Sequence, residues 1–303
     1  MSRRKRGRAV NGLVLLDKPA GLTSNRALQI VRHLFNARKA GHTGSLDPFA
    51  TGMLPLCLGE ASKTAAFMLE SNKTYRATAR LGIATDTGDI EGSVIEEKGI
   101  PALDDQAVLH TFESFTGEIG QIPPMYSALK HKGQPLYKLA REGITVTRST
   151  RKVRILRLDL IRHDSKFLEF EVHCSKGTYI RTLAEDLARA LGTCAHLVSL
   201  RRLAVEPFEA CNMVKLEQLE ADHQRQALDR HLLPIDAGLP GWPTIHLDAT
   251  NAAGFRNGNP QPAAESVPGW VRVYDRDGHL LGLGECTREG QVKPKRVFNL
   301  EAE

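Results

Sequence analysis

Apolar positions recur along the chain at two spacings, and each segment keeps to one of them. Thr23-Ser24-Asn25 is a capping sequence, and Ala27, Leu28, Val31, Leu34 and Phe35 then share one face at helical period, so a helix is expected there. From Tyr75 to Ile83 the period drops to two. Tyr75, Ala77, Ala79, Leu81 and Ile83 alternate with Arg76, Thr78 and Arg80, which predicts a half-buried strand with a basic outer face. Thr, Asp and Gly between Thr85 and Gly92 predict a turn, and residues 105–115 suggest a second helix. Gln121 to Gly143 mixes prolines, glycines and lysines and reads as a long irregular insertion, a kind of loop that is often functional. Strands are expected at Val153–Ile161 and over Leu168, Phe170, Val172 and Cys174. A helix then starts near Thr178, burying Ile180, Leu183, Leu187 and Leu191 and stopping at Gly192. Segment 203–247 has a helical middle and ends in Pro234, Gly238, Pro240, Gly241 and Pro243, a linker composition. Val271–Tyr274 and Leu280–Cys286, joined through Asp277-Gly278, read as a hairpin.

Strands and helices mix without a regular alternation, which favours an α+β fold over a doubly wound sheet. The expected organisation is a basic, disordered tail at 1–9 and a main domain at 10–233 with its insertion at about 121–152. A linker at 234–247 and a small β-rich module at 248–303 complete it.

Composition narrows the class. The chain has 303 residues, 41% hydrophobic and 25% charged, which is ordinary for a globular protein and excludes disorder or collagen for most of it. Its longest apolar runs, such as Met53 to Leu58, fall far short of the ~20 residues that cross a bilayer, so no membrane association is expected. Five cysteines stand at 57, 174, 194, 211 and 286, an odd number with no CxxC pair. That argues against a disulfide framework or a zinc knuckle and fits a reducing compartment. The apolar run Leu13–Leu16 is broken at once by Asp17, so no secretory signal is read and a cytoplasmic protein is expected.

Charge points to a partner. The net charge is +6, and it is concentrated. Arg3, Arg4, Lys5, Arg6 and Arg8 crowd the N-terminus. Arg148, Arg151, Lys152, Arg154 and Arg157 lie in ten residues without an acid, while 203–247 is acidic. Each cluster alone suits a solvated tail or strand face; together they favour a polyanion, with nucleic acid first.

Familiar cofactor motifs are missing. Gly59-Glu60-Ala61-Ser62-Lys63-Thr64 ends like a phosphate loop but lacks the glycine before its lysine, and no GxGxxG follows a strand. The histidines lie apart, with no HExxH, so neither a metal nor a nucleotide cofactor is expected. The most unusual segment is Gly41-His42-Thr43-Gly44-Ser45-Leu46-Asp47-Pro48-Phe49-Ala50-Thr51-Gly52. Its three glycines allow sharp turns and close approach to a ligand. Asp47 is the only carboxylate between Asp17 and Glu60. Asp47-Pro48 also suits the cap and first residue of a helix, and the two readings are compatible.

This segment resembles the signature of the tRNA pseudouridine-55 synthases, the TruB family. The resemblance extends in family order through Gly12–Gly21 (GLVLLDKPAG), Gly41–Glu60, Lys73–Gly82, Ile122–Lys130 (IPPMYSALK), Cys174–Thr182 (CSKGTYIRT) and Ser199–Val205 (SLRRLAV). It reaches the last module more weakly, through Phe255-Arg256-Asn257-Gly258-Asn259-Pro260.

The resemblance implies a pseudouridine synthase fold, a mixed and largely antiparallel sheet flanked by helices and loops, with a C-terminal β-barrel-like RNA-binding module of PUA type. It implies a monomer that flips the uridine at position 55 out of the T loop of tRNA, breaks its bond to the ribose and rejoins the base through C5. A role in tRNA folding comes with it. Asp47 would be the catalytic carboxylate, Arg181 its partner, and Tyr75 the aromatic face under the base. His42 would fill the gap the base leaves, and Tyr179 and Leu200 would line the uracil pocket. Read alone, Tyr75 is an ordinary cross-strand aromatic, Leu200 and Tyr179 core packing, His42 a loop histidine and Arg181 a surface arginine. The reaction requires an ionised carboxylate and an unstacked base, and neither oxidant nor energy source. A non-catalytic RNA binder and a base glycosylase are the rival readings.

Overall fold

The structure is a computed structural model that describes residues 7–209, 213–263 and 268–300. The chain runs β1 (Gly12–Lys18), α1 (Ser24–Leu34), β2 (Ala40–His42), β3 (Thr51–Leu58), α2 (Ala65–Leu69), β4 (Lys73–Leu81), β5 (Ile83–Thr85), β6 (Val94–Glu97) and α3 (Asp105–Ser114). It continues through β7 (Gly117–Gln121), β8 (Lys130–His131), β9 (Gln134–Pro135), α4 (Leu136–Arg141), β10 (Arg151–His163), β11 (Phe167–Cys174), α5 (Ile180–Ala190) and β12 (Ala195–Val205). The last elements are β13 (Val214–Lys215), α6 (Leu216–Gln224), β14 (Thr244–Leu247), α7 (Ala249–Arg256), β15 (Gln261–Pro262), β16 (Gly269–Asp275), β17 (Leu280–Cys286) and β18 (Gln291–Val297).

The large sheet has nine strands in the order β13-β1-β3-β12-β4-β11-β10-β7, with β2 pairing β3 off this path. β1–β13 and β3–β12 are parallel and the other pairs antiparallel, the mixed sheet expected. β1 and β3 explain their unbroken apolar runs, because both faces are covered. Val14, Leu16, Leu54 and Leu56 pack against Ala27, Leu28 and Val31 of α1 and Leu219 of α6. Leu13, Leu15, Met53 and Cys57 face another core with Met68, Phe208 and Leu239. On β4 the expected alternation holds, with Tyr75, Ala77, Ala79 and Leu81 buried and Arg76 and Arg80 exposed. Val108 and Phe112 of α3 and Leu183 and Leu187 of α5 cover this part of the sheet. α1 starts where the sequence placed it, with Thr23 Oγ1 accepting from the Arg26 amide at 3.1 Å.

Three expectations need correction. The insertion is not wholly irregular, since Leu136–Arg141 forms α4 and Leu136 and Leu139 bury their side chains. Proline and glycine around a six-residue helix hid its period. The expected linker ends in β14, which pairs parallel with β16, so the small sheet begins at Thr244 rather than after the boundary placed at 248. Ile235 and Leu239, also assigned to that linker, are buried. In the tail, residues 1–6 lie outside the described residues, but Arg8 pairs with Ala37 and its side chain meets Asp229 at 2.8 Å. Cys211 also lies outside the described residues. The described cysteines, Cys57, Cys174, Cys194 and Cys286, are buried.

The C-terminal sheet has five strands in the order β14-β16-β17-β18-β15. Phe255 and Ala252 of α7 pack on Leu247, Val271, Val273, Leu281 and Val292. Leu283 and Phe298 reach out of this module into the core that holds Leu13, Met53 and Met68. The two parts therefore share apolar surface, and removing the module would expose it. Phe298→Ala is expected to cost about 3 kcal/mol, read as a lower denaturant midpoint with an unchanged slope. In the β16–β17 turn, Asp275, Asp277 and His279 gather their polar atoms, which the turn's own bonds account for: Asp275 Oδ1 accepts from the Asp277 and His279 amides.

Candidate active site

Most of the glycine-rich segment is the loop between β2 and β3. No helix follows Asp47-Pro48. The Ala50 amide instead closes a turn on Asp47 O at 3.1 Å. The loop is pinned from three sides. Ser24 Oγ donates to Leu46 O at 2.9 Å and accepts from the Leu46 amide at 2.7 Å. The Gly21 amide donates to Pro48 O at 2.8 Å. Lys18, 0% exposed, donates to Pro19 O, Leu22 O and Pro48 O. Burial lowers the Lys18 pKa to about 8, and the Asp47 charge works against that fall.

Gly52, the second residue of β3, has φ +98°, and a Cβ there would stand 2.2 Å from Arg202 O across the β3–β12 pairing. The position therefore admits only glycine on two counts. Gly52→Ala is expected to cost about 3 kcal/mol or more, since strain and a backbone collision add. Urea unfolding of the variant would measure this.

Asp47 faces Arg181, from the first turn of α5. Arg181 Nε lies 3.1 Å from Asp47 Oδ2, and Nη1 lies 3.4 Å from Asp89 Oδ2. Arg181 also donates to Thr87 O and to Tyr126 O, at 2.5 and 2.7 Å. Its side chain and that of Asp89 are each 5% exposed, whereas Asp47 keeps 38%. One guanidinium is thus buried between two carboxylates, and only one of these opens outward. Burial raises the Asp47 pKa above the usual carboxylate value, because a charged carboxylate loses hydration there. Arg181 opposes the rise and Asp89 adds to it. A fixed positive charge at 3.1 Å is what keeps such a carboxylate available in its ionised form.

Tyr75 lies beside this pair. In the β4–β12 ladder it stands directly opposite Arg202, and Leu200 stands opposite Ala77, two residues away on the same side. Tyr75, Leu200, Leu46 and Ala50 belong to one apolar cluster. Tyr179 precedes α5, its amide donating to Gln121 Oε1 at 3.0 Å. The Asp47 charge acts on both tyrosines. His42 ends β2, with a buried Nδ1 that has no partner. Burial and then Arg202 lower its pKa, which favours the neutral ring.

The structure thus gathers Asp47, Tyr75, Arg181, Tyr179, Leu200 and His42 around one loop. Sequence reading missed Asp89, Arg202 and Lys18 as members of the site. Asp89 lay in a stretch read only as a turn. Arg202 could have been found, because it falls at an inward position two residues after Leu200.

Of the basic cluster, Arg151, Lys152, Arg154 and Arg157 occupy exposed positions of β10 near the sheet edge made by β7. Lys152 meets Glu118 at 2.7 Å and Arg157 meets Asp159 and Glu171 at 2.8 and 2.7 Å, so this basic face is partly paired. Among the described residues, no helix is long and apolar enough to cross a membrane.

Known proteins resemble the chain throughout. Residues 32–180 match the TruB family pseudouridylate synthase N-terminal domain. Residues 181–240 match the tRNA pseudouridylate synthase B C-terminal domain, and 243–298 match the pseudouridine synthase II TruB C-terminal domain. The tRNA pseudouridine synthase B of Ectopseudomonas mendocina (strain ymp) is 50% identical over 299 residues, covering 96% of each chain. That of Escherichia coli O9:H4 (strain HS) is 47% identical over 309 residues, covering 98% of each. Among solved structures, a Cbf5-Nop10-Gar1 complex chain superposes with a TM-score of 0.72 at 23% identity, over 94% of this chain and 84% of that one. An H/ACA RNP chain superposes with a TM-score of 0.73 at 20% identity, over 99% and 92%, and these two show the fold. With nearly half its residues shared over almost its whole length, and the glycine-rich loop carrying Asp47 at its centre, the chain belongs to the TruB family of tRNA pseudouridine synthases.

Proposed function

We propose that the chain converts the uridine at position 55, in the T loop of tRNA, to pseudouridine, with Asp47 as its catalytic carboxylate. The observation that carries the site assignment is the Asp47–Arg181–Asp89 network beside Tyr75. A module that only binds RNA gains nothing from a carboxylate held ionised near phosphates. Whether Asp47 bonds to carbon or stabilises a cationic sugar, it must be charged, and Arg181 favours that charge. The flipped uracil would lie on the Tyr75 ring, with Leu200 and Tyr179 as walls, and His42 would occupy the space it leaves. The C5–H bond breaks last, its electron pair restores the C5–C6 double bond, and N1 gains a proton. Tyr75 is the group assigned to this proton transfer. The T arm meets the cleft, the exposed arginines of β10 meet phosphates, and the C-terminal module meets a more distant part of the tRNA. The protein would act as a monomer in the cytoplasm, without metal or nucleotide cofactor, and would also assist tRNA folding.

The test compares an isolated T-arm hairpin with an anticodon-arm hairpin. Nucleoside analysis should find pseudouridine in the T arm alone and no released uracil. Free uracil would support a glycosylase, and modification of both hairpins would remove the T-arm assignment.

A further inference from the structure

Arg202 is the largest fully buried side chain among the described residues, at 1% exposure. Nε donates to Met53 O at 2.6 Å, Nη2 to Gly44 O at 3.1 Å and Nη1 to Ser45 O at 3.5 Å. Tyr75 stands directly opposite it in the β4–β12 ladder, and the Arg202 charge acts on the Tyr75 hydroxyl. Unlike Arg181, it meets no carboxylate within ion-pair distance among the described residues. A guanidinium buried among neutral carbonyls is costly, because carbonyl dipoles replace only part of its hydration. Tyr75 is the ionisable side chain that the ladder sets directly opposite Arg202, and the phenolate of Tyr75 would be the missing counter-charge.

Donor geometry points the same way. Guanidinium can only donate, so toward Arg202 the Tyr75 oxygen can only accept, and its own proton is left to turn elsewhere. Burial works against a phenolate at Tyr75, and Arg202 is the largest influence in its favour; Cys174 and Asp47 add to the resistance.

We propose that Arg202 is a positioning residue that fixes the Tyr75 hydroxyl and supplies the charge that stabilises its phenolate while a proton passes from C5 to N1. The inference rests on the reading of Tyr75 as the proton-transfer group. In the step, the phenol gives its proton to N1 of the base, which C5 has already joined to the ribose. The phenolate then takes the C5 proton, the C5–H pair restores the C5–C6 double bond, and Tyr75 ends neutral. Arg202 keeps its charge throughout, and its bonds to Gly44 O and Ser45 O tie the same guanidinium to the loop that carries Asp47.

The experiment uses full-length Arg202→Met and Arg202→Lys with tRNA transcripts carrying hydrogen or deuterium at C5 of the target uridine. Single-turnover rates, tRNA affinity and thermal unfolding are measured. Arg202→Met should lose on the order of 10²-fold in rate, the scale of a proton-transfer contribution. Its tRNA affinity should change little, and deuterium should slow it far more than wild type. Lys should recover part of the rate, since it restores the charge without the fork. In a Tyr75→Phe background, Arg202→Met should add little, because the two residues act as one unit. Equal losses for Lys and Met, with no isotope effect in a folded variant, would overturn the proposal and leave Arg202 a clamp. Where Arg202→Met does not fold, the isotope effect of Arg202→Lys decides in the same way. Near-normal turnover by Tyr75→Phe would instead remove the underlying reading of Tyr75.

Discussion

Asp47→Asn is expected to abolish pseudouridine formation while tRNA affinity stays within about tenfold, or ~1.4 kcal/mol. In the proposed reading the carboxylate acts in the chemical step, whereas phosphates and loop shape dominate binding. The variant should fold, because Arg181 keeps Asp89, Thr87 O and Tyr126 O when the Asp47 charge is gone. Turnover above a few per cent of wild type would remove the role assigned to Asp47. The raised pKa of Asp47 adds a pH dependence. Only the ionised form works, so the rate should fall with decreasing pH at a value above the usual carboxylate range. Stability responds in the opposite sense. Between the ordinary and the raised pKa the folded chain takes up a proton that the unfolded chain does not, so this group favours folding as pH falls through that window. The buried charge opposes folding above it. Rate and unfolding midpoint measured over the same pH series should diverge for the wild type, and Asp47→Asn should lose that stability trend.

The second large effect separates the ring of Tyr75 from its hydroxyl. A flipped base needs a flat apolar surface in place of its lost stacking, worth roughly 1–3 kcal/mol on an aromatic platform. Phe keeps that surface and Leu does not. If the hydroxyl handles the C5 proton, Tyr75→Phe should bind tRNA normally and lose about 10²–10⁴-fold in turnover. It should stall after glycosidic cleavage and still form an adduct with RNA containing 5-fluorouridine. Near-normal turnover by Phe, with failure only in Leu, would leave Tyr75 as a stacking platform.

Much of this site was legible because its chemistry lies in contiguous blocks. The loop from Gly41 to Gly52 announced itself by three glycines and a lone carboxylate, and β4 by strict alternation. Position 202 obeyed the same alternation, but an arginine in a basic chain reads as surface until its neighbours are known. Asp89 was hidden differently. Its link to Arg181 spans a long sequence separation, and its own turn looks like many others. At the boundaries, β14 is four residues long and follows Pro243, so its alternation was too short to outweigh the linker composition around it. α4 was lost for the same reason, with six residues between Pro135 and Gly143.

The central claim is that this chain isomerises one T-loop uridine through Asp47. The most direct measurement incubates the full-length protein with an unmodified whole tRNA transcript and maps pseudouridine by carbodiimide primer extension, beside Asp47→Asn. A single stop at position 55 with the wild type, and none with the variant, is the predicted result. A stop elsewhere, no stop at all, or an equal stop with Asp47→Asn would contradict it.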